Sequence, residues 1–203
     1  MKKERKEIDA LNTKYKGFRI LHGTEADILA DGSLDYPDEV LAGFDMVLAS
    51  VHTRLEAPEA VMTRRLIRAI ENPHVRIIGH PTGRRFGFRE PSAVDMEKVC
   101  RAAAARDVAL EINAHYERLD LNDVHARMAA GMGVKLAIST DAHNTQGLAM
   151  MRFGVAVARR AWLRPQQVIN TWPLKDLLKW CRRGKITPRP DGSGFSFHEG
   201  GLQ

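Results

Sequence analysis

Three hydrophobic runs of this sequence end in side chains that commonly bind metal ions. DMVLASVH ends at His52, VRIIGHP places His80 after its apolar residues, and LAISTDAH ends in Asp141 and His143. Because the carboxyl ends of parallel strands meet at one edge of a sheet, side chains that follow such strands lie close together. Neutral imidazoles combined with carboxylates suit Zn, Mn or Fe. The pattern therefore predicts one shared metal site at a sheet edge.

A mixed set of His, Asp and Glu at one edge is typical of a multinuclear hydrolytic site. Metal ions in such a site lower the pKa of a bound water and hold the oxygens of a phosphate ester, so no covalent nucleophile is needed. The residues predicted at or just past strand ends are Glu25, His52, His80, Glu111, Asp141 and His143. Competing motifs are absent from the sequence: it has no Ser–His–Asp order, and PTGRR at 81–85 does not match a phosphate-binding Gly-rich loop.

Other interpretations of the single residues stay open. His52 or His80 alone would more often be a buried, hydrogen-bonded histidine, and Asp141 could cap the helix that follows it. The residues left ambiguous near the predicted edge are His22, Glu111, Asn113 and His115. The histidines expected outside the site are His74, His125 and His198. The metal prediction rests on five edge residues together, since each alternative would have to hold independently.

Strands and helices are predicted to alternate along the chain. The predicted strands are 18–21 continuing toward Glu25, 46–51, 75–79, 108–112 and 134–140, and the main predicted helices are 56–70, 92–106, 148–161 and 173–183. Ser92 with Asp95 indicates a capping box, and Asn122 indicates the N-cap of a shorter helix. Alternation of this kind indicates right-handed βαβ units around a parallel sheet.

Length and composition favour one globular α/β domain with phosphate-bearing partners. The 203 residues suffice for one domain, predicted at 1–183, and the Pro-, Gly- and Ser-rich segment 184–203 is predicted to be a flexible tail. The net charge of +6 favours phosphate-bearing partners. The sequence contains no membrane-span or signal-peptide run, which favours a cytoplasmic protein. Cys100 and Cys181 lie among apolar neighbours and are predicted to be buried thiols.

The motifs resemble the PHP (polymerase and histidinol phosphatase) domain, most closely the version at the C-terminus of bacterial family X DNA polymerases. The resemblance covers most of residues 18–181. It rests on E-x-D-I-L-x-D-G-S-L-D-Y at 25–36, A-S-V-H at 49–52, G-H-P-T-G-R at 79–84, E-I-N-A-x-x-x-R-L-D-L at 111–121 and T-D-A-H at 140–143.

The resemblance implies a fold, a cofactor and an activity. The fold is a distorted seven-stranded (βα) barrel, similar to a TIM barrel, with up to three divalent ions (Mn, Zn or Fe) at the strand ends. The residues that match family ligands are Glu25, His52, His80, Asp141 and His143, of which Asp141 and His143 are also the predicted catalytic pair. Arg84 and Arg118 are predicted phosphate contacts. The implied reaction is hydrolysis of DNA 3′ ends, by a 3′→5′ exonuclease or a 3′-phosphatase.

The start of the sequence departs from the family pattern. The family begins with a strand that ends in H-x-H, whereas this sequence begins with MKKERKEIDALN, which resembles the helix before the Glu25 segment. We therefore expect an N-terminally incomplete barrel with an open edge, weak activity of this chain alone, and a polymerase domain or another chain that supplies the missing strands. Two alternatives stay open: a non-catalytic PHP module that supports a polymerase or partner, and a phosphatase for small esters such as histidinol phosphate.

Overall fold

The computed structural model describes residues 2–182 and two short strands at 186–188 and 195–197. Strands and helices alternate through most of the chain, as the sequence predicts. The elements in order are α1 (Lys2–Lys14), β1 (Gly23–Asp27), α2 (Asp38–Leu41), β2 (Met46–Ser50), α3 (Glu59–Glu71), β3 (Val75–Ile78), α4 (Met96–Arg106), β4 (Ala109–Asn113), α5 (Asp123–Gly131), β5 (Leu136–Ser139), α6 (Met151–Arg160), α7 (Leu174–Arg182), β6 (Ile186–Pro188) and β7 (Phe195–Phe197). Short 3-10 turns at Gln146–Met150, Pro165–Gln167 and Ile169–Thr171 lie on either side of α6.

The first five strands form one parallel sheet in the order β1-β2-β3-β4-β5. Each strand pairs with the next one in the sequence: Gly23 of β1 faces Met46 of β2, and Glu111 of β4 faces Ala137 of β5. Right-handed crossovers that advance in one direction place the connecting helices on the same face of the sheet. The fold is therefore α/β with a five-stranded parallel sheet, consistent with part of the barrel that the resemblance implies.

The two faces of this sheet are buried against different parts of the chain. On the first face, strand residues such as Val47 and Leu110 join the main core with Leu66 of α3 and Val99 of α4. Burying one Leu or Val side chain contributes about 1.5–3 kcal/mol, so this large cluster is the main source of the fold's stability.

The second face divides into an apolar half and a polar half. Ile77, Ala109 and Ala137 pack there against Trp180 and Cys181 of α7. Because alternate residues of a strand point to the same face, the side chains two positions further on continue along this face toward the carboxyl ends. They are polar: Glu111 follows Ala109 and Ser139 follows Ala137. Helix α7 therefore covers the amino half and leaves the polar carboxyl half for the site.

The predicted first strand, 18–21 continuing toward Glu25, is confirmed at Glu25 but wrong at 18–21. Strand β1 begins at Gly23, and Phe18 is 68% exposed. The neighbouring strand begins only at Met46, opposite Gly23, so the earlier residues have no strand beside them. Instead, the Asn12 side chain of α1 bonds both the backbone N–H and the carbonyl of Ile20. A side chain thus satisfies the backbone groups that a ladder would have paired.

The predicted capping box of Ser92 is also wrong, whereas the Asn122 cap is confirmed. Asp95 is the N-cap of α4, and its carboxylate accepts the backbone N–H of Lys98 at 3.0 Å. Ser92 lies outside the helix and donates its hydroxyl to the Leu55 carbonyl at 2.6 Å. The Asn122 side chain accepts from the backbone N–H of His125 at 2.8 Å at the start of α5. Tertiary contact with the 55–57 segment decides which of the two polar residues caps α4.

Part of the predicted tail forms two paired strands. Strands β6 and β7 are antiparallel, with Ile186 opposite Phe197 and Pro188 opposite Phe195. The predicted boundary at 183, His198 and the rest of 184–203 lie outside the described residues, so the flexible tail stays a prediction. No helix in the described part of the chain has both the length and the apolar character needed to cross a membrane.

Both cysteines are buried, which confirms that prediction, and burial raises the pKa of the Cys100 thiol to about 11.

We expect the native chain to react with the thiol reagent DTNB about 100-fold more slowly than the unfolded chain, because the thiolate is the reacting form. The measurement is the absorbance time course with and without guanidinium chloride. Equal rates in the two conditions would contradict the buried environment.

Candidate metal centre

Three predicted ligands come together at the carboxyl edge of the sheet. Glu25 lies on β1, and His52 and His80 each lie two residues past the end of a strand. Glu25 Oε1 lies 3.5 Å from His52 Nε2 and 3.2 Å from His80 Nε2. The three potential ligand atoms all lie within 4.8 Å of one another, and in the described part of the chain this is the group that could hold a metal ion.

The three side chains differ in exposure, and two of them have a shifted pKa. The His80 side chain is 3% exposed, whereas His52 and Glu25 are 38% and 42% exposed and face the opening. Hydrogen bonds from His52 and then His80 hold the pKa of Glu25 far below its ordinary value. The hydrogen bond to Glu25, helped by Asp27, raises the pKa of His52 to about 9, although burial opposes the shift. Both shifts favour the charged forms, a Glu25 carboxylate beside a protonated His52 imidazole.

Asp27 lies behind His52 and was not predicted from the sequence. Its Oδ1 is 2.5 Å from His52 Nδ1, so the Nδ1 proton is shared with a carboxylate while Nε2 faces Glu25. A carboxylate on the far nitrogen is the usual partner of a metal-binding histidine, because it fixes the ring and raises its basicity. The strand alternation could have revealed it, since residues 25 and 27 of one strand point to the same face.

Glu111 of β4 connects this cluster to strand β5. The carboxylate accepts the backbone N–H of His80 at 2.5 Å and the hydroxyl of Ser139, and the Asn113 amide lies 3.5 Å away. Glu111 is buried, and loss of solvent raises its pKa. Glu111, left ambiguous from the sequence, therefore holds the backbone of a candidate ligand.

Asp141 and His143 lie beside the three-residue cluster and line a separate open cleft. Asp141 Oδ2 accepts from the Asn113 amide at 3.3 Å and from Arg118 Nε at 3.2 Å. The His143 side chain is 86% exposed, and its Nδ1 lies 2.8 Å from the Asp141 carbonyl. The cleft has a volume of about 220 Å³ and is lined by Arg85, His115, Glu117, Arg118, Asp141 and His143. Asn113 connects the two groups through Glu111.

The two arginines predicted to contact phosphate have different surroundings. The Arg84 guanidinium turns inward and donates to the backbone carbonyls of Arg118, at 2.7 Å, and Leu119. Arg118 lines the cleft and pairs with Asp141. Their contact with a substrate stays a prediction for both residues, although only Arg118 faces the cleft.

Two residues at the carboxyl edge of the sheet, one after β3 and one after β5, have an unusual backbone conformation. His80 has φ +27° and Asp141 has φ +53°, both in the left-handed region that side chains other than glycine rarely adopt. Such residues persist where the surroundings enforce them, and they gather at functional sites. Buried Asp120 supports the loop after β3, because its carboxylate accepts hydrogen bonds from the backbone N–H groups of Thr82 and Gly83 at 3.0 and 2.8 Å. Nothing in the local sequence marks Asp120 for this role.

Arg65 of α3 holds the segment that follows Asp27 at the end of β1 and the loop after β2 that carries His52. It is 2% exposed, and its guanidinium donates to three backbone carbonyls after β1 and β2. The acceptors are Ile28 at 2.8 Å, Leu29 at 3.0 Å and Thr53 at 3.0 Å. One buried side chain thus joins the segments next to two members of the candidate metal centre.

The relatives of this chain agree with the motifs. No family model matches the chain. It is 46% identical over 183 residues to the DNA polymerase/3′-5′ exonuclease PolX of Bacillus subtilis, which covers 90% of this chain and 32% of that protein. It is 32% identical over 188 residues to a probable phosphatase of Thermoanaerobacter sp., which covers 87% of this chain and 74% of that protein. The chain belongs to the PHP family.

Membership in the PHP family confirms the resemblance drawn from the motifs. A probable phosphatase of Syntrophotalea carbinolica is a further relative, 29% identical over 76% of this chain and 65% of that protein. The chain spans about a third of the Bacillus PolX protein and about three quarters of the Thermoanaerobacter phosphatase.

Proposed function

We propose that this chain is a metal-dependent phosphoesterase that acts on DNA 3′ ends. The observation that carries the proposal is the convergence of the Glu25 carboxylate with Nε2 of His52 and of His80 at the carboxyl edge of the sheet. The cleft containing Arg118 and Asp141 lies beside them. The 46% identity to a protein named as a polymerase and 3′-5′ exonuclease supports DNA as the substrate.

The donor set fits a divalent transition metal ion. One carboxylate oxygen and two imidazole nitrogens suit Mn, Zn and Fe, and the Asp27–His52 pair adds the carboxylate that orients a metal-binding histidine. In this proposal Glu25, His52 and His80 hold one ion, and Asp141 and His143 serve further positions in a site of up to three ions. A bound divalent ion supplies a Lewis acid and lowers the pKa of water.

The chain's own groups can position the ester and move a proton. The Arg118 guanidinium faces the cleft, where it can bind phosphoryl oxygens. A carbonyl oxygen only accepts hydrogen bonds, so the contact with the Asp141 carbonyl places a proton on His143 Nδ1. In this tautomer Nε2 carries the free electron pair, which can act as a ligand or as a base. This is the role proposed for the catalytic pair.

Strand β1 is one of the two edge strands of the described five-stranded sheet. An edge strand presents unpaired backbone groups that can pair with a further strand. In this proposal a polymerase domain or a second chain supplies that strand and additional metal ligands, so the isolated chain is a weak enzyme.

The test of this function is Mn²⁺-dependent shortening of a 5′-labelled DNA strand, or loss of its 3′-phosphate, followed on a sequencing gel. We expect slow hydrolysis that EDTA and His80→Ala each reduce by about 100-fold or more, because both remove the ion. Glu71→Gln, on the exposed end of α3, is the control and should not change the rate.

Two other outcomes would replace the proposal with its alternatives. DNA binding that is sensitive to salt but independent of metal, without hydrolysis, would indicate a non-catalytic module. Hydrolysis of histidinol phosphate without hydrolysis of DNA would indicate a small-molecule phosphatase. The 32% identity to a probable phosphatase over 74% of its length is the observation that favours this second candidate.

A further inference from the structure

Two neighbouring loops at the metal-centre edge expose three aromatic rings to solvent. The first is the aromatic loop, residues 84–89, with the sequence Arg-Arg-Phe-Gly-Phe-Arg, which begins four residues after His80. Phe86 and Phe88 are 51% and 73% exposed. The second loop follows β4 and carries Tyr116, which is 53% exposed and stacks on His115 with a ring distance of 4.8 Å.

The aromatic loop is a hydrogen-bonded hairpin. Arg85 and Arg89 pair across it, with an N–H to carbonyl distance of 2.8 Å, and Gly87 turns the chain with φ +76°. The backbone N–H of Phe86 bonds the Glu117 carbonyl at 2.6 Å, which ties this loop to the Tyr116 loop. Exposed apolar rings on a hydrogen-bonded hairpin indicate a binding surface.

Arginines accompany the rings and make the surface positive. The Arg84 guanidinium lies 4.6 Å from the Phe86 ring centre, and that of Arg85 lies 5.0 Å from the Phe88 ring centre. Arg85 pairs with the Glu117 carboxylate, whereas Arg84 and Arg89 donate to backbone carbonyls. Aromatic faces interleaved with arginines are the composition that binds single-stranded nucleic acid, because each base can stack on a ring.

We propose that Phe86, Phe88 and Tyr116 form a stacking platform for unpaired bases of a nucleic-acid strand whose phosphoester lies at the metal centre. This inference rests on the proposed function and adds a base-binding subsite to it. Arg85 and Glu117 belong both to the two loops and to the cleft of Asp141 and His143, so the platform borders that cleft. A strand stacked on the rings could pass its end directly into the cleft.

The first test measures binding of a fluorescein-labelled oligothymidine of about 12 nucleotides in EDTA, by fluorescence anisotropy at fixed salt. We expect Phe88→Ala to raise Kd about fivefold or more and Phe86→Ala/Phe88→Ala about 25-fold or more. Phe88→Tyr should keep the affinity, and Phe88→Leu should lose it, because leucine retains apolar area without a π face. The control is Phe18→Ala, which removes an exposed ring before the amino end of β1.

An abasic strand of the same length separates stacking from backbone attraction. We expect wild-type chain to bind it at least as weakly as the double variant binds oligothymidine, because the double variant keeps Tyr116. Unchanged oligothymidine affinity in the double variant would overturn the platform, as would the absence of wild-type binding. A Phe88-dependent self-association in sedimentation, without nucleic-acid binding, would also overturn it and indicate a protein partner instead.

A second measurement keeps this inference distinct from the proposed function. Mn²⁺-dependent hydrolysis of bis(p-nitrophenyl) phosphate requires a metal centre but offers no nucleobase, so the double variant should hydrolyse it at the wild-type rate. If wild-type chain fails in this assay, the proposed function fails, whereas the EDTA binding experiment still decides the platform. If hydrolysis falls with the double variant, the rings support the metal centre itself and the platform is overturned.

Discussion

Replacing Glu25 with glutamine should abolish binding of the proposed metal ion. The carboxylate is the one anionic member of the three-residue cluster, and its Oε1 lies within 3.5 Å of Nε2 of both histidines. Glutamine keeps the shape but withdraws the negative charge that a divalent ion requires. We expect metal affinity to fall by more than about 100-fold, which equilibrium dialysis followed by elemental mass spectrometry would measure.

Asp27→Asn provides the graded comparison for this experiment. Asp27 contacts His52 Nδ1 rather than the position of the ion, so its loss should weaken metal affinity by about 10–100-fold. Glu71→Gln should leave the affinity unchanged, because Glu71 lies on the surface at the end of α3. If Glu25→Gln retains wild-type metal content while its circular dichroism spectrum is native, Glu25 is not a ligand and the proposed centre is wrong.

Replacing Arg65 with methionine should cause a large loss of stability. Three carbonyls after β1 and β2 would lose the donor that now satisfies them, and Arg65 itself is 2% exposed. A fully buried acceptor left unsatisfied costs about 1–3 kcal/mol, and because water can reach two of these three part-buried carbonyls, we expect a total loss of about 3–5 kcal/mol, in the lower part of the summed range. Whole domains are stable by about 5–15 kcal/mol, and the variant should therefore unfold at much lower urea concentration.

Arg68→Met on the same helix is the matched control. The Arg68 side chain is 54% exposed and pairs with Asp31 at the surface, so its loss should change the free energy of unfolding by less than about 1 kcal/mol. Arg65→Lys should fall between the two, because an ammonium keeps the charge but cannot reach the carbonyls in the same fork geometry. If Arg65→Met loses no more stability than the Arg68→Met control, less than about 1 kcal/mol, water replaces the lost donors and the predicted role of Arg65 is wrong.

The strand ends were predictable because their signal is local. A hydrophobic run that stops at His52 or His80 shows where a strand ends and which side chain stands there. Parallel pairing then brings the strand ends to one edge, and Glu25 joins them on the edge strand β1. Family motifs pointed to the same residues, although the roles of Asp141 and His143 stay predictions.

The supporting residues were not predictable because their signal lies in tertiary contacts. Asp120 accepts from a loop 37 or 38 residues away, and Arg65 reaches carbonyls 12 to 37 residues away. A periodic pattern in the sequence reports which face a residue is on, not which distant carbonyl it will reach. Arg84 illustrates the same limit, since its place after His80 suggested a phosphate contact while its guanidinium bonds backbone carbonyls.

Helix α7 has a consequence for how the chain folds during synthesis. Its Trp180 and Cys181 cover Ile77, Ala109 and Ala137, and the Trp180 indole N–H bonds the Asp107 carbonyl 73 residues earlier. Chains leave the ribosome amino end first, so all five strands of the parallel sheet emerge before the helix that shields one of its faces. Until α7 emerges, Ile77, Ala109 and Ala137 are exposed on this face of the sheet. This apolar face is the surface that a chaperone would cover during translation.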